Sequence, residues 1–349
     1  MIPTRPSTGK APGILLLFFL WIAGLGASIW VGNTPIRGAD VWEGLFKEEA
    51  ALSFEALMIR EIRLPRALTA SAAGAALAVS GLLLQTIFRN PLADPFVLGL
   101  SAGASLGVGL VVLVTGVAGA GFLVGGAGVG SSSLVLVVAA SMGAGASLGM
   151  VLLLSVRLSL TQLLIAGLMI SYLVSSILGV LMFYTIPERL QAFFIWSYGS
   201  FESTGWERLG GLWIPIGLAI IGGGIGVNAL NAIQGGEAFA RSVGVSVNRW
   251  KYWNLIIAAL LAGTVTAFCG PIGFIGVAVP HLCRALFQTN DLRILYPATA
   301  FAGALVALLA AAIAVLPGSE RVLPLNAVTA LIGAPVIVWF LLREGGLRE

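Results

Sequence analysis

Ten runs of predominantly apolar residues, each 17 to 23 residues long, constrain what this chain can fold into. A helix of about 20 apolar residues crosses the hydrocarbon core of a bilayer. Only 10% of the 349 residues are charged, too few to cover a soluble protein of this length. The pattern predicts an all-α, polytopic membrane protein with about ten transmembrane helices, forming one domain over residues 1–349. The predicted spans are residues 14–32, 64–86, 97–118, 134–155, 162–184, 209–229, 253–269, 272–288, 294–315 and 325–342.

The charges between these runs predict the orientation. With the N-terminus in the cytoplasm and ten spans, the inside holds eleven basic and five acidic residues, and the outside eight and ten. This distribution agrees with the positive-inside rule. No small-residue cleavage site follows the first run, so we interpret it as a retained helix. The sequence therefore predicts a multi-pass protein of the plasma membrane, the inner membrane of a bacterium, with both termini cytoplasmic.

The chain lacks the residues that several function classes need. It has no GxxxxGK[ST] phosphate loop and one histidine, so we predict no catalytic site, no metal site and no cofactor. The positive charge is scattered through short loops, which does not indicate nucleic-acid binding. No carboxylate lies in the middle of a predicted span, where ion-coupled carriers usually need one. If the chain transports something, the energy therefore comes from a partner. The alternatives to such a partner-driven transporter are an ion-coupled secondary transporter and a receptor or scaffold.

The longest predicted cytoplasmic loop contains the sequence GGEAFARSVGV, residues 235–245. Glycines bracket one or two helical turns, in which Glu237 and Arg241 form an i,i+4 pair and Ala238 and Phe239 offer an apolar contact. A helix this short is marginal by itself. It makes sense if it docks into another protein, although a plain connector is the simpler interpretation.

Two further segments have a recognisable local structure. In IREIRLPRALTA, Arg60, Arg63 and Arg66 share a face if helical, as snorkelling anchors or as a docking patch at the outer surface. In FRNPLADPFVLGLSAGASLG, the prolines predict a tight cytoplasmic elbow over residues 89–94. The glycines at 99, 103 and 107, and those at 145 and 149 in the fourth span, predict close helix packing.

Taken together, four segments resemble the FecCD-type permeases, the membrane subunits of ABC importers for ferric siderophores, haem and cobalamin. They are RLPRALTASAAGAALAVSGLLLQTIFRNPLADPFVLGLSAGAS, LNAIQGGEAFARSVGV, GPIGFIGVAVPHLCR and LPLNAVTALIGAPVIVWFLL. The resemblance implies a type II ABC importer permease fold and a homodimer with one central pathway. It also implies two copies of an ATP-binding subunit inside, and one periplasmic or lipid-anchored substrate-binding protein outside.

The resemblance also assigns residues to three sites. Residues 230–250 look like the family's coupling segment, with contacts to the ATP-binding subunit at Glu237, Ala238, Arg241 and Gly244. Residues similar to the family's cytoplasmic gate are Asn90, Leu92, Leu160 and Thr161. Arg63 and Arg66 resemble the arginines that dock the binding protein. A third docking arginine and an aspartate are replaced here by Val315 and Ala311, and Arg321 is the candidate substitute.

Overall fold

The structure is a computed structural model that describes residues 10–32, 53–96, 98–115, 129–315 and 322–345. In chain order its α-helices are α1 (Ala11–Trp30), α2 (Phe54–Leu57), α3 (Leu64–Phe88), α4 (Leu100–Gly109), α5 (Val129–Ser155), α6 (Leu160–Phe183), α7 (Pro187–Ser197), α8 (Trp206–Ile225), α9 (Val227–Gln234), α10 (Glu237–Ser242), α11 (Val247–Cys269), α12 (Ile275–Phe287), α13 (Leu292–Ala314) and α14 (Leu325–Gly345). Two π-helical stretches, Met58–Arg63 and Leu110–Thr115, join α2 to α3 and extend α4.

The predicted all-α membrane architecture is confirmed. Within the described residues, seven helical segments are long and apolar enough to cross a membrane, and three shorter apolar ones, Leu100–Thr115, Ile275–Phe287 and Leu325–Val338, occupy the remaining predicted positions. The third span begins late because Gly99, at φ 78°, turns the chain into α4. The eighth begins only at Ile275, because the chain reverses at Gly270-Pro271, where Gly270 has a positive φ, and Phe274 has a positive φ again just before the helix.

Helix α3 lies at the centre of the bundle and is buried along nearly its whole length. Two neighbouring helices approach its backbone at glycines. A Cβ on Gly81 would collide with the Gly276 carbonyl of α12, and a Cβ on Gly74 would collide with the Gly303 carbonyl of α13. Ser80 adds a hydrogen bond of 2.7 Å to the Ala258 carbonyl of α11. These contacts hold the middle and the C-terminal half of α3, and the predicted elbow leaves from its C-terminal end.

The predicted glycine packing is partly right. Gly103 and Gly107 on α4 face Gly143 and Ala139 on α5, so closely that a Cβ would overlap the opposing backbone. The assignment of Gly145 and Gly149 to a similar contact is wrong within the part of the chain that the structure describes, because there a Cβ at either position would have nothing within 4 Å. The contacting residues of α5 lie on a different side of the helix from those two glycines.

Candidate functional site: the coupling segment and the inner gate

The predicted coupling helix is present as α10, and backbone geometry sets both its ends. Gly236 precedes it at φ 122°, and Gly244 follows it at φ 82°. Ala240 is fully buried beneath the helix, and its carbonyl accepts a hydrogen bond of 2.9 Å from the Val245 amide. Phe239 and Val243, one turn apart, are each 55% exposed. The short helix therefore presents an apolar surface and turns its small residue inward.

Glu237 connects α10 to a membrane-spanning helix. Its carboxylate accepts a hydrogen bond of 2.5 Å from Lys251 Nζ in the first part of α11, and Arg241 Nη2 lies 3.5 Å from its other oxygen. The pKa of Glu237 is lowered from its usual value, mainly by the hydrogen bond from Lys251 and further by the charges of Lys251, Arg241 and Arg89. The carboxylate is consequently ionised at neutral pH, and the ion pair between α10 and α11 is intact there.

A cavity of about 380 Å³ opens beside this ion pair and brings two of the predicted sites together. Glu237 and Lys251 line one wall, and Leu160 and Thr161, at the start of α6, line another. Phe88, the last residue of α3, closes the cavity on the elbow side. Glu237 of the predicted coupling residues therefore shares a cavity with Leu160 and Thr161 of the predicted gate, although nearly 80 positions separate them in the sequence.

The start of α6 is held by a reciprocal pair of side-chain hydrogen bonds. Ser159 Oγ accepts from the Gln162 amide at 3.4 Å, and Gln162 Oε1 accepts from the Ser159 amide at 2.9 Å. This capping box fixes the first turn of the helix. Leu160 and Thr161 lie within that turn, so their backbone positions are defined.

The second pair of predicted gate residues lies on the elbow, which is compact. Asn90 Oδ1 accepts a hydrogen bond of 2.9 Å from the Leu92 amide, forming an Asx turn. The Pro91 carbonyl is 2.8 Å from His281 Nε2 on α12. Leu92 remains 44% exposed. His281 therefore connects the elbow to α12.

The helix before α10 is also connected to its surroundings. Asn231 Nδ2 donates to Asp291 Oδ1 at 2.7 Å, and Asn231 Oδ1 accepts from the Leu292 amide at 2.9 Å. Arg293 Nε donates to Asn228 Oδ1 at 2.9 Å. These bonds join α9 to the beginning of α13. Together with the Glu237–Lys251 pair, they fix the coupling segment to two different spans.

The arginines predicted for docking at the opposite surface are largely buried. Arg63 is 3% exposed, and its Nη1 donates to the carbonyls of Ile29 and Trp30, at the end of α1, at 3.1 and 2.8 Å. Arg66 is 5% exposed, and its Nη1 lies 3.3 Å from Glu202 Oε1. Both guanidinium groups thus bind partners within the chain, which the spacing of the arginines did not predict.

The positions at which the resemblance places a third docking arginine and an aspartate, Val315 and Ala311, line a small cavity near Arg66. Arg66 and Glu202 line it together with Ala311 and Val315, which are both buried. Arg321 lies outside the described residues. Among the described residues, no group of three His, Cys, Asp or Glu side chains is placed to hold a metal ion.

Sequence reasoning missed the partners of its own candidates. Three residues bond to a predicted site residue or to its segment without having been assigned to a site: Lys251 to Glu237, Glu202 to Arg66, and Arg89 to the helix before α10. Lys251 lies 14 residues beyond Glu237, and Glu202 lies 136 residues beyond Arg66. A charge of opposite sign was the only signal, and it does not select one partner among many.

Known proteins are similar in sequence to this chain over most of its length. A sequence model of the FecCD transport family matches residues 16–343. The chain is 37% identical over 294 residues to the vitamin B12 import system permease protein BtuC of Klebsiella pneumoniae subsp. pneumoniae, covering 83% of this chain and 84% of that protein. It is 36% identical over 299 residues to the hemin transport system permease protein HmuU of Yersinia pestis, covering 82% and 84%.

A solved structure shares the fold. It is named as a metal-chelate type ABC transporter in an inward-facing conformation, and it matches with a TM-score of 0.79 at 27% identity over 95% of this chain and 98% of that chain. The helical architecture is therefore that of a type II ABC importer permease, in a multi-pass membrane protein. On the sequence match and the shared fold together, the chain belongs to the FecCD transport family.

Proposed function

We propose that this chain is the membrane-spanning subunit of an ABC importer that moves an intact metal chelate, namely a ferric siderophore, haem or cobalamin, into the cytoplasm. Two copies of the chain form the pathway, two copies of a separate ATP-binding subunit drive it, and a substrate-binding protein delivers the ligand from outside. The relatives named as importers of vitamin B12 and of hemin support this proposal.

One observation carries the proposal: the coupling helix α10 exposes an apolar surface, while its first residue is bonded to the membrane-spanning helix α11. Phe239 and Val243 are open to a partner, whereas Ala240 is buried and Glu237 is bonded to Lys251. A helix of six residues is marginal by itself, so such an exposed surface favours a second protein as its binding partner. We assign the contact with the ATP-binding subunit to Glu237, Ala238, Arg241 and Gly244, together with Phe239 and Val243.

Closure of the ATP-binding subunits then displaces α10 and the spans attached to it as one body. The cavity between Lys251 and Leu160 lies where such a movement changes the width of the inner end of the pathway. Asn90, Leu92, Leu160 and Thr161 act as the gate. Small and apolar gate residues suit a bulky cargo, because they seal the path without binding the cargo strongly.

The exposed apolar helices support a second copy and a lipid boundary. Only 22% of the apolar window of α6 and 28% of that of α5 is buried within one chain. Because α6 begins at the gate residues Leu160 and Thr161, we assign its exposed face to the pathway and the two-fold contact. The remaining apolar surface faces membrane lipid.

The N-terminus belongs on the cytoplasmic side in this proposal. Lys10 Nζ, just before α1, donates to the Phe287 carbonyl at 2.6 Å, at the end of α12. The same helix contacts the elbow through His281 and the end of α3 through Arg284, whose Nη1 donates to Gln85 Oε1 at 2.5 Å. The start of α1 therefore shares its end of the bundle with the coupling segment. With ten spans, the C-terminus lies on that side too.

At the outer surface we assign docking of the binding protein to Arg63, Arg66 and Arg321. Arg66 fits best for two reasons. The side chain of its partner Glu202 is 43% exposed. The Nε atom of Arg66 is buried and has no hydrogen-bond partner among the described residues. A carboxylate from the binding protein can compete with Glu202 for this guanidinium. The network around Arg63 has to open before that side chain contributes.

Reconstitution tests the function directly. Liposomes that contain this chain and its ATP-binding subunit should take up ligand only when both ATP and the loaded binding protein are present. Uptake driven by a proton or sodium gradient without ATP would favour the ion-coupled carrier and exclude our proposal. A chain that copurifies with no ATPase and moves no ligand would instead indicate a receptor or scaffold.

A charge exchange tests the coupling assignment. Glu237→Lys and Lys251→Glu each place like charges together and should reduce ATP-driven uptake several-fold while ATP hydrolysis continues. The double exchange restores an opposite pair and should recover uptake, which makes it the internal control. Single variants that transport at the original rate would remove Glu237 from the coupling machinery.

A further inference from the structure

Arg89 connects the coupling segment to the gate-bearing elbow. It is the residue after α3, and its Nη2 donates a hydrogen bond of 2.7 Å to the Ile233 carbonyl in the last turn of α9. The two residues are 144 positions apart in the sequence. The same carbonyl accepts from the Gly236 amide at 3.1 Å, immediately before the coupling helix.

The charge of Arg89 suits this position. A helix ends in carbonyl groups with no partner inside the helix, and a cation is favourable there. Glu237, at the start of α10, supplies a negative charge near the same guanidinium. Arg89 is thus attracted both by the end of α9 and by the start of α10, the two helices that a partner protein would displace together.

The backbone of Arg89 indicates that its side chain is important. Arg89 has φ 48° and ψ 35°, the left-handed conformation in which a residue with a Cβ is strained and glycine is not. Glycine would end α3 at lower conformational cost. The side-chain bond to α9 is a property that glycine could not supply.

On the other side, Arg89 is covalently joined to the elbow. Asn90 follows it directly and fixes Leu92 through the Asx turn, and Pro91 is held by His281. The elbow therefore has two side-chain supports, one on α12 and one on the coupling segment. A displacement of α9 and α10 reaches the elbow through Arg89 by a single hydrogen bond.

We propose that Arg89 is the positioning residue that transmits movement of the coupling segment to the gate residues Asn90 and Leu92. This role rests on the proposed importer function. Both pairs of gate residues are then connected to the coupling segment, each in its own way. Leu160 and Thr161 lie across the cavity from Glu237, and Asn90 and Leu92 are connected to α9 through Arg89.

The experiment follows the conformation of the elbow by measuring how fast a cysteine placed in it is labelled in the full complex. Leu92→Cys is labelled with a membrane-impermeant maleimide, without nucleotide and after trapping with ATP and vanadate. Cys269 and Cys283 are 2% and 0% exposed, so the chain without the added cysteine should give little background. Arg89→Gly removes the side chain and relieves the left-handed backbone at the same time.

A matched control exists in the same part of the molecule. Gln288 ends α12 with φ 46° and ψ 49°, and it is exposed. Gln288→Gly relieves the same kind of strain without touching the connection to α9. Arg89→Gln, which is neutral and whose side chain ends two atoms short of the Nη2 that makes the bond, serves in place of Arg89→Gly if the glycine variant does not assemble with the ATP-binding subunit.

We expect nucleotide trapping to change the labelling rate of Leu92→Cys in the parent and in Gln288→Gly. In Arg89→Gly that change should be lost, while the complex still forms and hydrolyses ATP. An intact complex whose labelling responds equally in Arg89→Gly overturns the role of Arg89 and leaves the importer function standing. A parent chain that forms no complex with an ATPase overturns the importer function, and the role of Arg89 with it.

Discussion

A single methyl group added at Gly143 should separate two helices that now touch through their backbones. Gly143 on α5 faces the Gly103 carbonyl of α4, and a Cβ built there falls well inside the 3.0 Å that real Cβ atoms respect. This neighbour is a backbone carbonyl, so it has no rotamer to change. The two helices must therefore move apart by about 1 Å over this turn.

The expected cost follows from that geometry. Forcing an extra carbon into a packed contact typically costs about 1–3 kcal/mol. The overlap here is with backbone, so the upper part of that range, about 2–3 kcal/mol, applies. Alanine recovers about 1 kcal/mol relative to glycine in a helix interior, which leaves a net loss of about 1–2 kcal/mol for Gly143→Ala. In the same helix, Gly145→Ala gains the propensity term and meets nothing within 4 Å. It should be neutral or stabilising by up to about 1 kcal/mol.

Equilibrium unfolding in mixed detergent micelles measures the free energy of unfolding of both variants. The two values are obtained under one condition and can therefore be compared directly. The reasoning requires Gly143→Ala to unfold more easily than the parent and Gly145→Ala to unfold no more easily. Equal stability of the two variants would refute it, since the pair differs only in what the added methyl group meets. A loss in Gly145→Ala alone would mean that this face packs against something in the assembled protein.

The remaining predictions concern the charged groups. Arg63→Met should cost about 3 kcal/mol of stability, since two charge-assisted hydrogen bonds to the end of α1 are lost; an unchanged unfolding midpoint would contradict this role. If Arg66 docks the binding protein by exchanging Glu202 for a partner carboxylate, Glu202→Gln should accelerate association at low salt, measured by surface plasmon resonance against the parent. The pKa of Glu237 is lowered, so the stabilisation by its ion pair with Lys251 should be constant at neutral pH and lost as the pH falls below the usual range of a glutamate. Hydrogen exchange of α10 in the parent and in Lys251→Met should then differ at pH 7 and converge in acid.

The sequence determines the local features of this fold well. Hydropathy predicts an apolar run at each of the seven long apolar helices and three shorter ones that the described residues form, because a bilayer requires apolar helices regardless of what they pack against. The glycines at 236 and 244 marked the coupling helix, since they supply the positive φ that begins and ends it. The prolines at 91 and 95 marked the elbow for a comparable reason, because they exclude a continuous helix.

The long-range contacts could not be obtained in this way. The sequence showed glycines on α5 but not which ones face α4, since that depends on the rotation of one helix about its axis relative to another. It showed Arg63 and Arg66 at the start of α3, but not that Arg63 bonds to the end of α1 and Arg66 to Glu202. The π-helical turn over Met58–Arg63 also escaped the 3.6-residue pattern on which the shared face was predicted. Such features depend on packing between segments that are distant in the chain.

The contacts around α10 limit how this protein can respond to a partner. Its base bonds to α11 through Glu237, and the preceding helix bonds to α13 through Asn231. A helix of six residues has too few internal hydrogen bonds to hold its shape under load without such supports. Local refolding of α10 would break several of these bonds at once, whereas a joint tilt of α9, α10 and the attached ends of α11 and α13 preserves them. If α10 has the proposed coupling role, we therefore expect a rigid-body response, in which the attached ends of α11 and α13 move with α10 and the elbow follows through Arg89.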